Sequence, residues 1–274
     1  MRSGFKPPGW HLQETDRLTP EDDLATTVAE LRAAGCIAAE EEAKELIDAA
    51  AGDGARLQAL VARRCTGEPL AWLIGSVTFC DQTVVVHPGV YVPRWQTEPL
   101  ALEAAARLPE HGVAVDFCTG AGAVAAVLAR LRPLARVLAT EIDPAAVACA
   151  RSNGLEVFQG DMAVNLPRTL VGKVDVVTAI VPYVPTRELR FLPRDVTRYE
   201  PRAALDGGAD GMRLLRRAVL EAGPLLRPGG SLLLELGGNE ADLLQPVLAA
   251  NGYRDVQRHY DEDGDLRAVF CLRQ

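Results

Sequence analysis

The chain has 274 residues, 48% apolar and 24% charged, with a formal charge of −8 and a pI near 5.1. That length exceeds what one compact core comfortably carries, so a large domain plus a small one is expected. The acidic balance argues against DNA or RNA as primary partner, and no window reaches the roughly 18 consecutive apolar residues of a membrane span.

The opening stretch MRSGFKPPGW has no apolar region behind its charges, so no export signal is expected and the chain reads as cytoplasmic. Cysteines at 36, 65, 80, 118, 149 and 271 show no Cys-x-x-Cys spacing, and four histidines are scattered, so reduced thiols and no metal site are expected. Residues 1–20 read as an irregular arm that ends in a helix start, with Thr19 as N-cap and Pro20 at the first helical position. Leu24, Val28 and Leu31 recur at helical spacing up to Gly35, and further helices fit Ala38–Ala51 and Ala55–Arg64. After Gly67 β-branched runs take over, with strands expected at Ser76–Phe79 and Thr83–Val86 around a turn at Asp81-Gln82. The expected division is a helical domain over 1–75, a connecting β-hairpin over 76–93 and the main domain over 94–274.

Within that main domain, Val113–Gly122 reads VAVDFCTGAG and runs into the apolar stretch Ala123–Leu131. A β-type run, an acid, a Gly-x-Gly turn and a helix are how a parallel sheet builds a nucleotide-type site. Gly120, Gly122 and Ala125 also satisfy the G-x-G-x-x-A spacing of dinucleotide folds, so NAD remains open at this point as an alternative to S-adenosylmethionine. Downstream, strands at Arg136–Thr140, 156–159, 174–179 and Ser231–Leu236 alternate with helices over 145–153, 210–222 and 240–251. That alternation predicts an α/β fold with a parallel sheet. A closing antiparallel pair at 255–260 and 267–272 favours the S-adenosylmethionine methyltransferase arrangement over an NAD domain.

Eight segments in order, from GEPLAWLIG through VHPGVYVPRWQTE, DFCTGAG, TEIDPAAV, GD, VPYVP and YEPRAALDGGADG to LRPGG with LLLELG, resemble the release-factor glutamine methyltransferase family of the HemK/PrmC type. The resemblance covers roughly residues 20–274. It implies a Rossmann-like class I S-adenosylmethionine methyltransferase domain, a small N-terminal helical domain that contacts class 1 peptide chain release factors, and a connecting hairpin. The implied reaction is methylation of a glutamine side-chain amide.

Carried over by position, Asp116, Cys118, Thr119, Gly120 and Gly122 match the cofactor loop, with Cys118 where a first glycine is usual. Glu141 and Ile142 follow at the distance of a ribose-binding acid, and Asp161 with Met162 resemble the adenine-side turn. The catalytic motif Asn-Pro-Pro-Tyr reads here Ile180, Val181, Pro182, Tyr183. In the family the asparagine oxygen and a main-chain carbonyl accept the two amide hydrogens, and isoleucine has no acceptor. An N–H left facing it costs on the order of 1–3 kcal/mol. Arg94 and Thr97 match the substrate side, Trp95 reads as pocket wall or core, and Glu200 reads as a loop-holding partner of Arg202 or a substrate contact. The resemblance thus implies methylation of a release factor, while Ile180 leaves open a small-molecule acceptor or cofactor binding without turnover.

Overall fold

The computed structural model of the chain describes residues 20–274. The irregular arm and the Thr19 cap expected from sequence lie outside the described residues. The chain divides into two compact units, one ending at Thr66 and one beginning at Gly67.

In the first unit, α1 (Pro20–Ala33), α2 (Ala39–Ala50) and α3 (Gly54–Cys65) pack on one another. Leu31, Ala43 and Leu46 are fully buried at the helical spacing that the sequence shows. Asp53 caps α3 by accepting from the Arg56 amide at 3.0 Å, which satisfies one of the free N–H groups of the first turn. Arg64 reaches Glu42 from α3 to α2 through Nε at 2.6 Å and Nη2 at 3.0 Å.

The second unit opens with α4 (Leu70–Ile74) and the antiparallel hairpin β1 (Ser76–Phe79) and β2 (Gln82–Val85). Its turn falls on Cys80 and Asp81, one residue earlier than expected, because both take left-handed backbone at φ 48° and 56°, as two-residue hairpins require. There follow α5 (Glu98–Arg107), β3 (Val113–Phe117), α6 (Ala123–Leu131), β4 (Arg136–Glu141), α7 (Pro144–Ser152), β5 (Glu156–Gln159) and β6 (Val174–Ala179). Next come β7 (Val184–Pro185), α8 (Arg194–Tyr199), β8 (Asp206–Gly208), α9 (Met212–Leu225), β9 (Leu226–Glu235), α10 (Glu240–Ala250), β10 (Tyr253–Tyr260) and β11 (Leu266–Arg273).

The main sheet has the order β10-β11-β9-β6-β3-β4-β5, parallel from β9 to β5, with β11 antiparallel to both of its neighbours. Alternation along the strands sends Val115, Phe117, Val177 and Leu234 into one core with α9 and α10. Ala114, Val176 and Leu233 face the other core, with α5, α6 and the hairpin. The sheet is therefore covered on both faces, and its parallel strands are near-continuously apolar. Helix α9 continues through Pro224 instead of stopping before it. Its last carbonyls, on Pro224 and Leu225, accept from the amides of Gly172 and Lys173. All six cysteines are free thiols. Among the described residues no helix is long and apolar enough to cross a membrane, and no group of three or more His, Cys, Asp or Glu is placed to hold a metal.

Candidate active site

Parallel register puts one residue from each of four strands along the same edge. Phe117 pairs with Thr140 and Ala179, and Ala179 pairs with Leu234. The residues one step further, or at the strand end itself, are Cys118, Glu141, Ile180 and Glu235, and all four line one cavity of about 770 Å³. The cavity sits beyond the carboxyl ends of β4, β3, β6 and β9, where the chain order reverses about β3 and where open α/β sheets bind their ligands.

The loop after β3 is built around two carboxylates. Asp116 is buried and accepts from the hydroxyls of Thr119 and Thr178, each at 2.6 Å, and burial pushes its carboxyl up to about 6. Glu141 accepts from the amides of Gly120 at 2.9 Å, Ile142 at 2.7 Å and Asp143 at 3.0 Å. A carboxylate offers about four acceptor sites, so Glu141 keeps one for a ligand hydroxyl. Cys118 has φ 53°, the left-handed backbone that makes glycine usual there, and burial pushes its thiol well up, so it is a neutral wall atom rather than a nucleophile. Gly120 has φ +58° and nothing within 4 Å of where a Cβ would stand, so its main chain faces open space. Ile142 is 61% exposed on the cavity wall, an apolar surface offered to a ring. Asp161 also lines the cavity and accepts from Arg217 Nη1 at 2.5 Å.

Ile180, Val181, Pro182 and Tyr183 line the same cavity, as do Arg94 and Thr97. The Tyr183 hydroxyl donates to Glu235 Oε1 at 3.3 Å, and the Thr97 hydroxyl donates to Oε2 at 2.5 Å. The main chain at Tyr183 is gripped by the glycine loop: a Cβ on Gly207 would lie 2.7 Å from Tyr183 Cα, and one on Gly211 would strike the Tyr183 carbonyl. Glycine is therefore required in DGGADG for close approach rather than for turning alone. Sequence reading did not single out Glu235, although LLLELG displays an acid that closes a buried apolar strand.

Four expected site residues are placed elsewhere. Trp95 is 67% exposed and off the cavity wall, neither pocket nor core, because the single 3-10 turn Trp95–Thr97 carries Thr97 inward and leaves the indole out. Glu200 lies behind the wall in an ion pair with Arg94, while Arg202 pairs with Asp206 at 3.1 Å. Met162 has its side chain buried in the core beneath the sheet edge. Gly122 caps α6 and is packed against Leu155 and Ala150, so it serves helix packing and not the cavity surface.

This doubly wound sheet with a late antiparallel strand and a ligand cavity at its switch point is the Rossmann-like fold of class I S-adenosylmethionine methyltransferases. In fold the chain resembles the ribosomal protein L11 methylase of Lactobacillus delbrueckii subsp. bulgaricus, with TM-score 0.50 and 16% identity over 71% of this chain and 86% of that one. It likewise resembles the catalytic domain of hMettl16, with TM-score 0.52 and 14% identity over 66% and 72%. The chain matches no protein-family model. It is 36% identical over 221 residues to the release factor glutamine methyltransferase of Geobacter sulfurreducens, covering 78% of this chain and 77% of that one. The enzyme of the same name from Moorella thermoacetica is 39% identical over 84% and 83%. The 4-amino-L-phenylalanine/4-methylamino-L-phenylalanine methyltransferase of Streptomyces pristinaespiralis is 37% identical over 76% and 75%. The chain belongs to the release factor glutamine methyltransferase family. It is an enzyme whose methyl donor is S-adenosylmethionine, and the open space at Gly120, the spare acceptor site of Glu141 and the exposed face of Ile142 fit that donor.

Proposed function

We infer that the chain methylates a nitrogen acceptor seated against Ile180–Tyr183, with the Cys118–Gly120 loop on the donor side. One observation carries this reading: the loop after β3 and the segment after β6 line a single cavity. Glu141 takes a ribose hydroxyl, Ile142 lies against the adenine, and Asp161 accepts from its amino group. S-adenosylmethionine supplies an electrophilic methyl carbon when bound. The chain's own contribution is alignment, since an in-line displacement at carbon gains most from proximity and a shaped pocket. The carbonyl of Val181 remains as a main-chain acceptor, and Tyr183 holds its ring at the acceptor side through Glu235.

Kinship supports a class 1 release factor as the acceptor, met in the cytoplasm, with the helical unit up to Thr66 as the contact for that protein. The test is methyl transfer from labelled S-adenosylmethionine to a release factor, run beside Ile180→Asn, with donor binding followed by calorimetry. Higher activity in the variant is expected, because asparagine restores the second acceptor. Failure of both proteins to bind the donor sinks the reading. A second reading, a small-molecule acceptor with its own activated nitrogen, is favoured by Ile180 and by the likeness to the Streptomyces pristinaespiralis enzyme.

A further inference from the structure

The register that aligns the strand ends sets Glu235 beside the place where the family's asparagine is missing. Ala179 is paired with Leu234, so Ile180 and Glu235 are the next residues on neighbouring strands, which run about 4.8 Å apart. Both line the cavity. Ile180 offers no acceptor, whereas Glu235 is a buried carboxylate held by the hydroxyls of Tyr183 and Thr97. With about four acceptor sites and two hydroxyls bound, it has room for a further hydrogen. The other titratable groups facing it are the Tyr91 phenol and the Arg267 guanidinium, and Arg267 is committed to Asp261 at 2.6 Å and Asp265 at 3.3 Å.

We propose that Glu235 accepts the proton released by the methyl-receiving nitrogen, and that this nitrogen belongs to an arylamine rather than a carboxamide. The proposal rests on the methyl-transfer reading above and takes its second acceptor, the small molecule, in place of the release factor. As the nitrogen lone pair forms the N–C bond, the C–S bond of the sulfonium breaks and its electron pair stays on sulfur. The nitrogen becomes positive, and one of its protons passes to the Glu235 carboxylate and then to solvent.

A fixed carboxylate stabilises the positive charge that grows on a neutral amine nitrogen. It repels an oxygen nucleophile, which reacts best as an anion, and it would hold an alkylamine as the ammonium, with no lone pair free. An arylamine is weakly basic and stays neutral near pH 7. A carboxamide nitrogen keeps its lone pair delocalised into the carbonyl and is the poorer nucleophile of the two. The apolar part of the wall, with Phe79, Val90, Leu192 and Leu205, suits a ring. Burial raises the Glu235 carboxyl from its ordinary value, in the direction that suits a proton acceptor.

The test uses the full chain, labelled S-adenosylmethionine and 4-amino-L-phenylalanine as the probe, with a release factor as the competing acceptor. Methyl transfer to the probe is expected. Glu235→Gln should lower kcat by about 100-fold or more, with donor affinity by calorimetry unchanged, and Glu235→Asp should recover part of the loss. In Glu235→Gln the acid limb of kcat should also move down to the titration of the arylamine itself. Donor binding without transfer to the probe overturns the proposal alone, as does a Glu235→Gln enzyme with native rate and pH profile. Absence of donor binding overturns the methyl-transfer reading and this proposal with it.

Discussion

The threonine hydroxyls on Asp116 organise the loop after β3 around a carboxylate removed from water. Burial is the dominant influence there, and it raises the carboxyl from 3.8 to about 6. An acid whose folded pKa lies above its unfolded one contributes stability that is complete below pH 3.8 and is lost as pH rises through about 6. The loss amounts to at most about 3 kcal/mol. Asp116→Asn never ionises, and it meets the two threonines with one acceptor oxygen and one donor N–H, so that one hydroxyl turns to accept. Its Tm should therefore exceed the native value above pH 6 and converge with it near pH 4, as read by thermal unfolding across that range. At this scale the sequence carried Asp116 and Glu141 to the cavity, because a strand-end acid and its distance from the glycines are written in the chain. It did not carry Trp95, Glu200 or Met162. Which way a side chain turns from a one-turn helix or a left-handed corner depends on neighbours far along the chain.

Asn153, at the end of α7, is the connector between three elements of the larger unit. Its Nδ2 donates to the carbonyls of Val85 at 3.0 Å and Ala121 at 2.9 Å, and its Oδ1 accepts from the Val85 amide at 2.8 Å. It thus ties the hairpin to the loop that borders the donor side of the cavity. Asn153→Ala should destabilise the fold by about 1–3 kcal/mol in denaturant titration, because the partners are left without replacements. An unchanged midpoint would mean that water replaces the side chain without loss. Nothing in the sequence marks Asn153, whereas the strands and helices themselves follow from apolar periodicity. The exceptions have local causes: the hairpin turn shifts to Cys80 and Asp81, and α9 runs through Pro224 because the amides of Gly172 and Lys173 receive its end.

For the whole molecule, every residue on the cavity wall belongs to the unit that begins at Gly67. Residues 67–274 alone should therefore unfold in one cooperative transition and bind S-adenosylmethionine with the affinity of the full chain, as calorimetry would read. Loss of cooperativity would move the boundary. The α/β class and the late antiparallel strand are legible in the alternation of elements. The strand order is not, since it depends on which edges pair, and the small β7–β8 sheet that joins the Tyr183 segment to the glycine loop is too short to leave a pattern.

The three main-chain amides already fixed on Glu141 have one more consequence. The loop's conformational freedom is surrendered during folding rather than at the encounter with the small molecule. Association should then be governed by diffusion into a ready-made socket, with little rearrangement to slow it.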